Sequence, residues 1–159
     1  MQSIYKKGRD NARTPMQWDG SANAGFTTGS PWLQVNKNYT EINVENSIKD
    51  PNSIFHYYQK LIQLRKDYLI IVYGTFHLLH EQDNKIYVYT RTLDNEQLLV
   101  ISNWSCEIME FTLEPSSVVF IESKSVNLLI SNYEVIEKET NYKSLLLKPY
   151  EVRVYHFLK

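Results

Sequence analysis

The sequence predicts a mainly β protein, in which an antiparallel sandwich or barrel follows a loop-rich segment and one long helix. Three observations lead to this fold class. Residues 1–49 show little periodicity and are punctuated by glycine and proline. Apolar residues then recur at helical spacing as far as residue 66. From Gly74 onward the apolar pattern changes to alternation with a period of two, which is typical of strands.

The first 49 residues are predicted to be mainly loop, with one short helix. Asn43 is suited to cap this helix, which would contain Val44 and Ile48. A loop-rich segment of this length is uncommon in a compact domain unless it is functional or rests on another part of the protein.

Residues 50–66 are predicted to form a helix of about four turns. Asp50 is expected to be its N-cap and Pro51 its first helical residue. Its apolar stripe is formed by residues at helical spacing: Ile54, Phe55, Tyr57, Tyr58, Leu61, Ile62 and Leu64.

Eight short strands are expected after Gly74, separated by turn-forming clusters. Within one of them, Ile86, Val88 and Thr90 would face one side of the sheet, and Tyr87 and Tyr89 the other. The candidate strands are 75–80, 85–92, 97–103, 106–113, 118–121, 126–131, 143–147 and 150–158.

Composition excludes several classes of protein. A net charge of −1 gives no electrostatic reason to bind nucleic acid or an anionic membrane, and no apolar run is long enough to span one. Cys106 is the single cysteine, so an internal disulfide is excluded, and a reducing cytoplasm is the expected location. The four histidines form no metal-type spacing with cysteine or acidic residues, so neither a metal nor a cofactor is expected.

Residues 8–19, Gly-Arg-Asp-Asn-Ala-Arg-Thr-Pro-Met-Gln-Trp-Asp, are the most distinctive part of the sequence. Arg9 and Arg13 bracket Asp10 and offer forked donors suited to carboxylates or to neighbouring sugar hydroxyls. Trp18 adds a flat apolar face of the kind on which sugars stack. Composition alone favours a simpler interpretation, in which the charges form a buried ion pair and the tryptophan anchors the loop.

The same residues, followed by the strings 24–29 (Ala-Gly-Phe-Thr-Thr-Gly) and Pro31-Trp32, resemble the segment after the last barrel strand of oligo-1,6-glucosidases. These enzymes belong to the α-amylase family of glycoside hydrolases, together with trehalose-6-phosphate hydrolases. The resemblance continues through residues 61–66 and 147–151 and spans nearly the whole chain. It implies that residues 1–73 are the tail of a catalytic (β/α)8 barrel, and that residues 74–159 are a C-terminal β-sandwich like the C-domain of α-amylases.

The resemblance also implies roles for individual residues. Arg9 matches the family arginine that holds the hydroxyls of the terminal glucose in the intact enzyme. Asp10 lies outside the family's catalytic trio and is expected to pair with a neighbouring arginine, and the resemblance gives Arg13 no clear substrate role. Asp10, Arg13 and Trp18 are therefore expected to support the site structurally. A retaining glycosidase needs two carboxyl groups about 5–5.5 Å apart. In the family, these groups come from strands upstream of the position that matches Met1, so no catalytic residue is expected in this chain.

The expected function is that of the C-terminal part of a retaining α-glucosidase acting on short isomalto- or malto-oligosaccharides. Such a part would support the barrel, would be inactive alone, and would meet the oligosaccharide substrate only in the intact enzyme. The isolated chain is expected to self-associate through residues 1–70, whose apolar surface the barrel would otherwise cover. The alternative is a stand-alone carbohydrate-binding β-sandwich, which an exposed row of aromatic residues across one sheet would favour.

Overall fold

The computed structural model describes residue 10 and residues 13–114, 125–135 and 142–159. In this part of the chain, two 3-10 turns, Ala22–Gly25 and Lys37–Thr40, precede three helices, which are α1 (Val44–Lys49), α2 (Ile54–Asp67) and α3 (Ile70–Tyr73). Seven strands follow: β1 (Thr75–Leu79), β2 (Ile86–Leu93), β3 (Glu96–Asn103), β4 (Met109–Thr112), β5 (Ser125–Ser131), β6 (Ser144–Leu147) and β7 (Val152–Leu158).

The chain divides into two compact units, Met1–Ile62 and Gln63–Lys159, with the division inside α2. The described part of the first unit contains the loop-rich segment, α1 and most of α2. The second unit contains the end of α2, α3 and the strands. The assignment of residues 1–73 to a catalytic barrel and of 74–159 to a separate domain stays a prediction.

The second unit is an antiparallel β-sandwich. One sheet has five strands in the order β1-β2-β3-β7-β5, and β4 pairs with β6 in a second sheet. Side chains of both sheets meet in one apolar core, in which Phe111 and Leu147 from the smaller sheet join Val88, Ile101 and Phe157 from the larger one. The predicted fold class is therefore confirmed, and the sandwich is chosen over the barrel because the core lies between two sheets.

The central strand of the larger sheet is buried on both faces. Seven of the eight residues of β3 are buried, and they include Leu98 and Val100, whose neighbours Leu99 and Ile101 belong to the core between the sheets. A strand buried on both sides must be covered on both sides. The outer face of this sheet is therefore a packing surface as well as the inner one.

The alternation predicted for β2 is confirmed. Ile86, Val88 and Thr90 are buried, whereas Tyr87 and Tyr89 lie on the outer face with greater exposure. On the same face, α3 lies against β2 and β3. Tyr68, which follows α2, packs edge-on against His156 of β7, with ring centroids 5.2 Å apart. The helical segment thus covers one end of the outer face.

The long helix begins later than its sequence predicts. Asp50 ends α1 instead of capping α2, and its carboxylate accepts a hydrogen bond from the backbone N–H of Asn52 at 2.9 Å. Ser53 precedes the first residue of α2, and its hydroxyl accepts a bond from the N–H of His56 at 3.4 Å. The predicted start of the long helix at Asp50 and Pro51 was wrong, because the carboxylate of Asp50 closes a local turn instead of capping the helix.

Several strands are shorter than their patterns predict. The candidate strand 106–113 is reduced to Met109–Thr112, and 150–158 to Val152–Leu158. Asn103 explains the first difference, because its Oδ1 accepts bonds from the backbone N–H and the hydroxyl of Ser105 and so closes a turn. The candidate strand 118–121 lies outside the described residues.

Candidate functional site

The loop-rich segment is held together largely by side-chain amides. The Nδ2 of Asn23 donates to the carbonyls of Thr27 and Gly29, at 3.2 and 2.9 Å. The Nε2 of Gln17 donates to the Oδ1 of Asn38 at 3.1 Å. The two bonds from Asn23 satisfy backbone carbonyls that a strand or helix would otherwise satisfy. The segment around the distinctive motif therefore has a defined shape with little regular secondary structure.

Helix α1 is tied to the motif at its amino end. The Oδ1 of Asn43 accepts from the N–H of Asn46 at 2.8 Å, which confirms the predicted cap. The N–H groups of Val44 and Glu45 donate to the carbonyls of Gln17 and Trp18, at 2.9 and 3.0 Å. These donors are already used by the chain, so this helix end does not present them to an anionic ligand.

A tight turn follows Trp18. Ala24 and Gly25 have φ values of 58° and 66°, in the left-handed region. A Cβ at Gly25 would lie 2.6 Å from a carboxylate oxygen of Asp19, so only glycine fits there. Asp19 itself accepts hydrogen bonds from the side chain and the backbone N–H of Ser21, and these bonds lower the pKa of its carboxyl group. The turn fixes the direction in which the chain leaves Trp18.

The predicted site residues are placed only in part. Arg9, the predicted sugar-binding residue, lies outside the described residues. Asp10 and Arg13 are both exposed, and the contact shown between them joins their backbones, from the N–H of Arg13 to the carbonyl of Asp10 at 3.0 Å. The substrate role of Arg9 and the supporting roles of Asp10 and Arg13 stay predictions.

The two tryptophans of this segment differ in exposure. Trp18 is half-exposed at 50%, and its backbone is bonded on both sides, through its N–H to Ala24 and through its carbonyl to Glu45. Trp32 is 91% exposed. A ring exposed to this extent is not packed as an anchor within the described part of this chain.

A concave pocket adjoins the motif. It has a volume of about 390 Å³ and is lined by Asp10, Thr14 and the stretch 33–37. Asp10 and Lys37 are the charged residues among the described residues of its lining. Such a mixture of apolar and charged groups is suited to a polar ligand or to another stretch of protein. In the described part of the chain, no cluster of three or more histidine, cysteine or acidic residues is suited to hold a metal ion.

A second pocket was missed by the sequence interpretation. It has a volume of about 500 Å³, lies in the sandwich at the start of β2, and includes Tyr87 and Trp104 in its lining. The available signal was the turn cluster Asp83-Asn84, which precedes a strand with outward tyrosines. What the sequence did not show is that Trp104, after the next strand, lines the same pocket.

None of the described helices is long and apolar enough to cross a membrane.

Two family models match the chain. Residues 1–74 match the family described as "Alpha amylase, catalytic domain", and residues 86–154 match the family described as "Alpha-amylase SusG C-terminal domain". The second match covers most of the β-sandwich, and the first covers the loop-rich segment with all three helices.

Curated relatives match almost the whole chain. An oligo-1,6-glucosidase of Parageobacillus thermoglucosidasius is 59% identical over 155 residues, which are 98% of this chain and 27% of that protein. A trehalose-6-phosphate hydrolase of Bacillus subtilis (strain 168) is 46% identical over 98% of this chain and 27% of its own length. The chain therefore spans about a quarter of the length of these relatives.

Solved structures agree with the relatives. A crystal structure of Bacillus licheniformis trehalose-6-phosphate hydrolase is 43% identical and superposes with a TM-score of 0.90, over 99% of this chain and 28% of that one. An isomaltulose synthase from Klebsiella sp. LX3 is 40% identical with a TM-score of 0.82, over 94% of this chain and 26% of that one. The chain belongs to the α-amylase family: it matches a catalytic-domain model of that family over residues 1–74 and a C-terminal-domain model over residues 86–154.

Proposed function

We propose that this chain is the C-terminal part of a retaining α-glucosidase that acts on short isomalto- or malto-oligosaccharides. In this proposal the chain supports the catalytic barrel, contributes Arg9 to the sugar site, and does not catalyse hydrolysis alone. The proposal includes a cytoplasmic location, because a chain with a single cysteine forms no internal disulfide and suits a reducing compartment.

The observation that carries the proposal is the exposure of α2. None of its 14 residues is buried, although its sequence is amphipathic. Ile54 and Tyr58, one turn apart, are 87% and 64% exposed. Folded proteins rarely leave an apolar helix face of this size in water unless another surface covers it. The preceding part of a catalytic domain is the covering surface that the proposal supplies.

The chemistry of the described residues is consistent with a supporting part. Asp10 is exposed and Asp19 is bound to Ser21. A retaining mechanism requires a nucleophile and an acid/base carboxyl group at a fixed separation. In the proposal both groups come from the polypeptide that precedes this chain in its relatives.

Complementation tests the proposal. The oligo-1,6-glucosidase of P. thermoglucosidasius would be shortened by the quarter that this chain matches and co-expressed with residues 1–159. We expect the two parts to co-purify and to hydrolyse isomaltose or an aryl α-glucoside, whereas each part alone stays at the buffer blank. The Arg9→Ala chain serves as the control, and we expect it to co-purify with greatly reduced activity.

Two outcomes would contradict the proposal. One is hydrolysis by the isolated chain above the blank. The other is a co-purified complex that remains inactive although the shortened relative is folded. A missing carboxylate pair raises the barrier by several kcal/mol, so the difference between active and inactive samples spans orders of magnitude in rate.

A stand-alone sugar-binding sandwich is the second candidate. Aromatic residues do lie across β1 and β2, where the rings of Phe76, Tyr89 and Tyr87 contact one another with centroids 5.2 and 5.6 Å apart. However, the successive rings are tilted by 36° and 52°, so they do not form one flat platform. The supporting role is therefore the better proposal for the chain as a whole.

A further inference from the structure

The pocket at the start of β2 is a separate feature of the sandwich. It is lined by Asp83, Asn84, Lys85, Ile86, Tyr87 and Trp104. It lies at the opposite end of β2 from Arg91, against which α3 packs. The helical segment therefore leaves this end of the outer sheet face open.

Trp104 is held in place but left exposed. Its indole N–H donates to the hydroxyl of Ser102 at 3.0 Å, and its backbone N–H donates to the carbonyl of Lys85 at 2.7 Å. The hydroxyl of Ser102 in turn donates to the carbonyl of Tyr87 at 2.9 Å. The ring is nevertheless 69% exposed. A tryptophan fixed at its polar edge offers its flat face to a ligand with little loss of side-chain entropy.

The polar groups of the pocket are also ordered. The Oδ1 of Asp83 accepts from the backbone N–H groups of Lys85 and Ile86, at 2.8 and 2.9 Å. These bonds lower the pKa of the Asp83 carboxyl group, so it stays ionised and accepts hydrogen bonds at neutral pH. Asn84, beside it, is exposed and adds amide donors and an acceptor.

Among the described residues that line this pocket, the cation Lys85 is paired. Lys85 forms an ion pair with Glu107 through Nζ and Oε2, at 2.5 Å. Because the positive charge is compensated and a carboxylate lies nearby, an anionic ligand would gain little here. The pocket is therefore better matched to a neutral molecule than to an anion.

We propose that the Trp104 pocket binds a neutral α-linked glucose oligosaccharide. A pyranose ring has an apolar face of C–H groups and a rim of hydroxyls. The indole of Trp104 matches the face, the ring of Tyr87 bounds it, and Asp83 with Asn84 matches the hydroxyls. The choice of α-linked glucose rests on the proposed function.

The chemical alternative is a protein surface that covers Trp104. A covering protein would exploit flat apolar area, whereas this pocket is concave and carries an ionised carboxylate and an exposed amide. The observations therefore favour the sugar, and the protein contact becomes an outcome of the test.

The test is to titrate the 159-residue chain with isomaltotriose and to measure binding by isothermal titration calorimetry and by saturation-transfer NMR. We expect weak saturable binding that Trp104→Ala reduces at least tenfold. The matched control is Trp32→Ala, which removes a tryptophan that is 91% exposed in the other compact unit, and this variant should bind like the wild type. Circular dichroism spectra show that each variant keeps its fold.

Three results would overturn the proposal: absence of saturable binding, equal binding by the wild type and Trp104→Ala, or equal loss in the Trp32→Ala control. A fourth result would also overturn it: Trp104→Ala abolishes self-association of the chain, and isomaltotriose does not change that self-association. Trp104 would then be a contact between protein chains. Cellotriose, a β-linked neutral trisaccharide, tests the assignment to α-linked glucose. Complementation activity does not enter this measurement, so failure of the proposed function and failure of this site are distinguishable.

Discussion

The guanidinium of Arg91 donates to the carbonyl of Gly74 at 2.6 Å, at the point where helix α3 ends and the sandwich begins. The same side chain donates to the carbonyls of Ile70 and Val72, at 3.2 and 3.3 Å. The carbonyls of Val72 and Gly74 lie at the end of the helix, where intrahelical partners are lacking, whereas the carbonyl of Ile70 also accepts from the N–H of Gly74 at 3.0 Å. A cation at a helix end also interacts favourably with the helix dipole. Arg91 thus fixes the last helix on the sheet, and this contact requires a close approach of the chain at Gly74.

Gly74→Ala is expected to destabilise the sandwich. A Cβ at this position would lie 2.5 Å from the carbonyl oxygen of Ile70 and 3.2 Å from the Cβ of Arg91. The backbone would have to shift, at a cost of about 1–3 kcal/mol. Urea unfolding measures this change. Gly29→Ala is the control, since its Cβ would meet only the hydroxyl of Thr27 at 3.7 Å, and equal midpoints for both variants would contradict the steric argument.

Glu151→Gln is expected to destabilise the sandwich strongly. Glu151 is fully buried, and its Oε1 accepts from the Nε of Arg153 at 2.7 Å. Burial alone would lower the pKa of Arg153, but its hydrogen bonds to Glu151 and Tyr155 outweigh burial and raise it. Removing the negative charge breaks the buried ion pair between Glu151 and Arg153, which typically costs about 3–5 kcal/mol.

Thermal and urea unfolding measure the effect of Glu151→Gln. Glu107→Gln is the matched control, because Glu107 pairs with Lys85 at the surface and little change is expected there. A Glu151→Gln protein as stable as the Glu107→Gln protein would show that the buried pair contributes nothing.

Asp83 is expected to make stability depend on acid pH. Backbone N–H groups of Ile86 and Lys85 lower the pKa of its carboxyl group below the ordinary value of 3.8. The ionised form is therefore favoured by folding, so the contribution is fully present above pH 3.8 and is lost as pH falls through the lowered pKa. The wild type should exceed Asp83→Asn in unfolding free energy at pH 6, and the difference should shrink below pH 3.8. A difference independent of pH would exclude the charge as its cause.

The isolated chain is expected to self-associate through residues 1–70. If α2 exposes about 400 Å² of apolar surface, leaving it in water forgoes roughly 10 kcal/mol of burial. A second copy supplies a partner for Ile54 and Tyr58 on that face. Light scattering after size exclusion should show a species larger than the 18.8 kDa monomer.

The double variant Ile54→Lys, Tyr58→Lys should shift this species toward the monomer. Lys60→Glu, on the same helix, controls for a change of charge alone. A wild-type monomer in which residues 1–49 resist protease would contradict the prediction, because the segment would then be ordered without a partner.

In the intact enzyme, Arg9→Ala is expected to lower kcat/KM far more than it lowers stability. Loss of charge-assisted bonds to a buried sugar typically costs about 2–5 kcal/mol. Steady-state kinetics together with an unfolding curve separates the two effects. A catalytic efficiency within about threefold of the wild type would leave Arg9 with a structural role only.

Local patterns in the sequence determined much of the sandwich. The alternation of Ile86, Val88 and Thr90 with Tyr87 and Tyr89 placed each side chain on the correct face, because the period of a strand is set by backbone geometry. The cap at Asn43 was equally local, since it needs only a side-chain oxygen and an N–H three residues later. The motif at residues 9–19 carried the family, because that string is specific in itself.

Only the tertiary structure decided what distant residues do together. It closed the core between two sheets, buried Glu151 with Arg153, and brought Trp104 beside Tyr87 across a strand pair. It also moved the start of α2, because the carboxylate of Asp50 found a nearer backbone partner. Propensity and spacing describe neighbours along the chain, whereas burial, pairing and pockets depend on contacts between residues far apart in sequence, whose energies no local pattern contains.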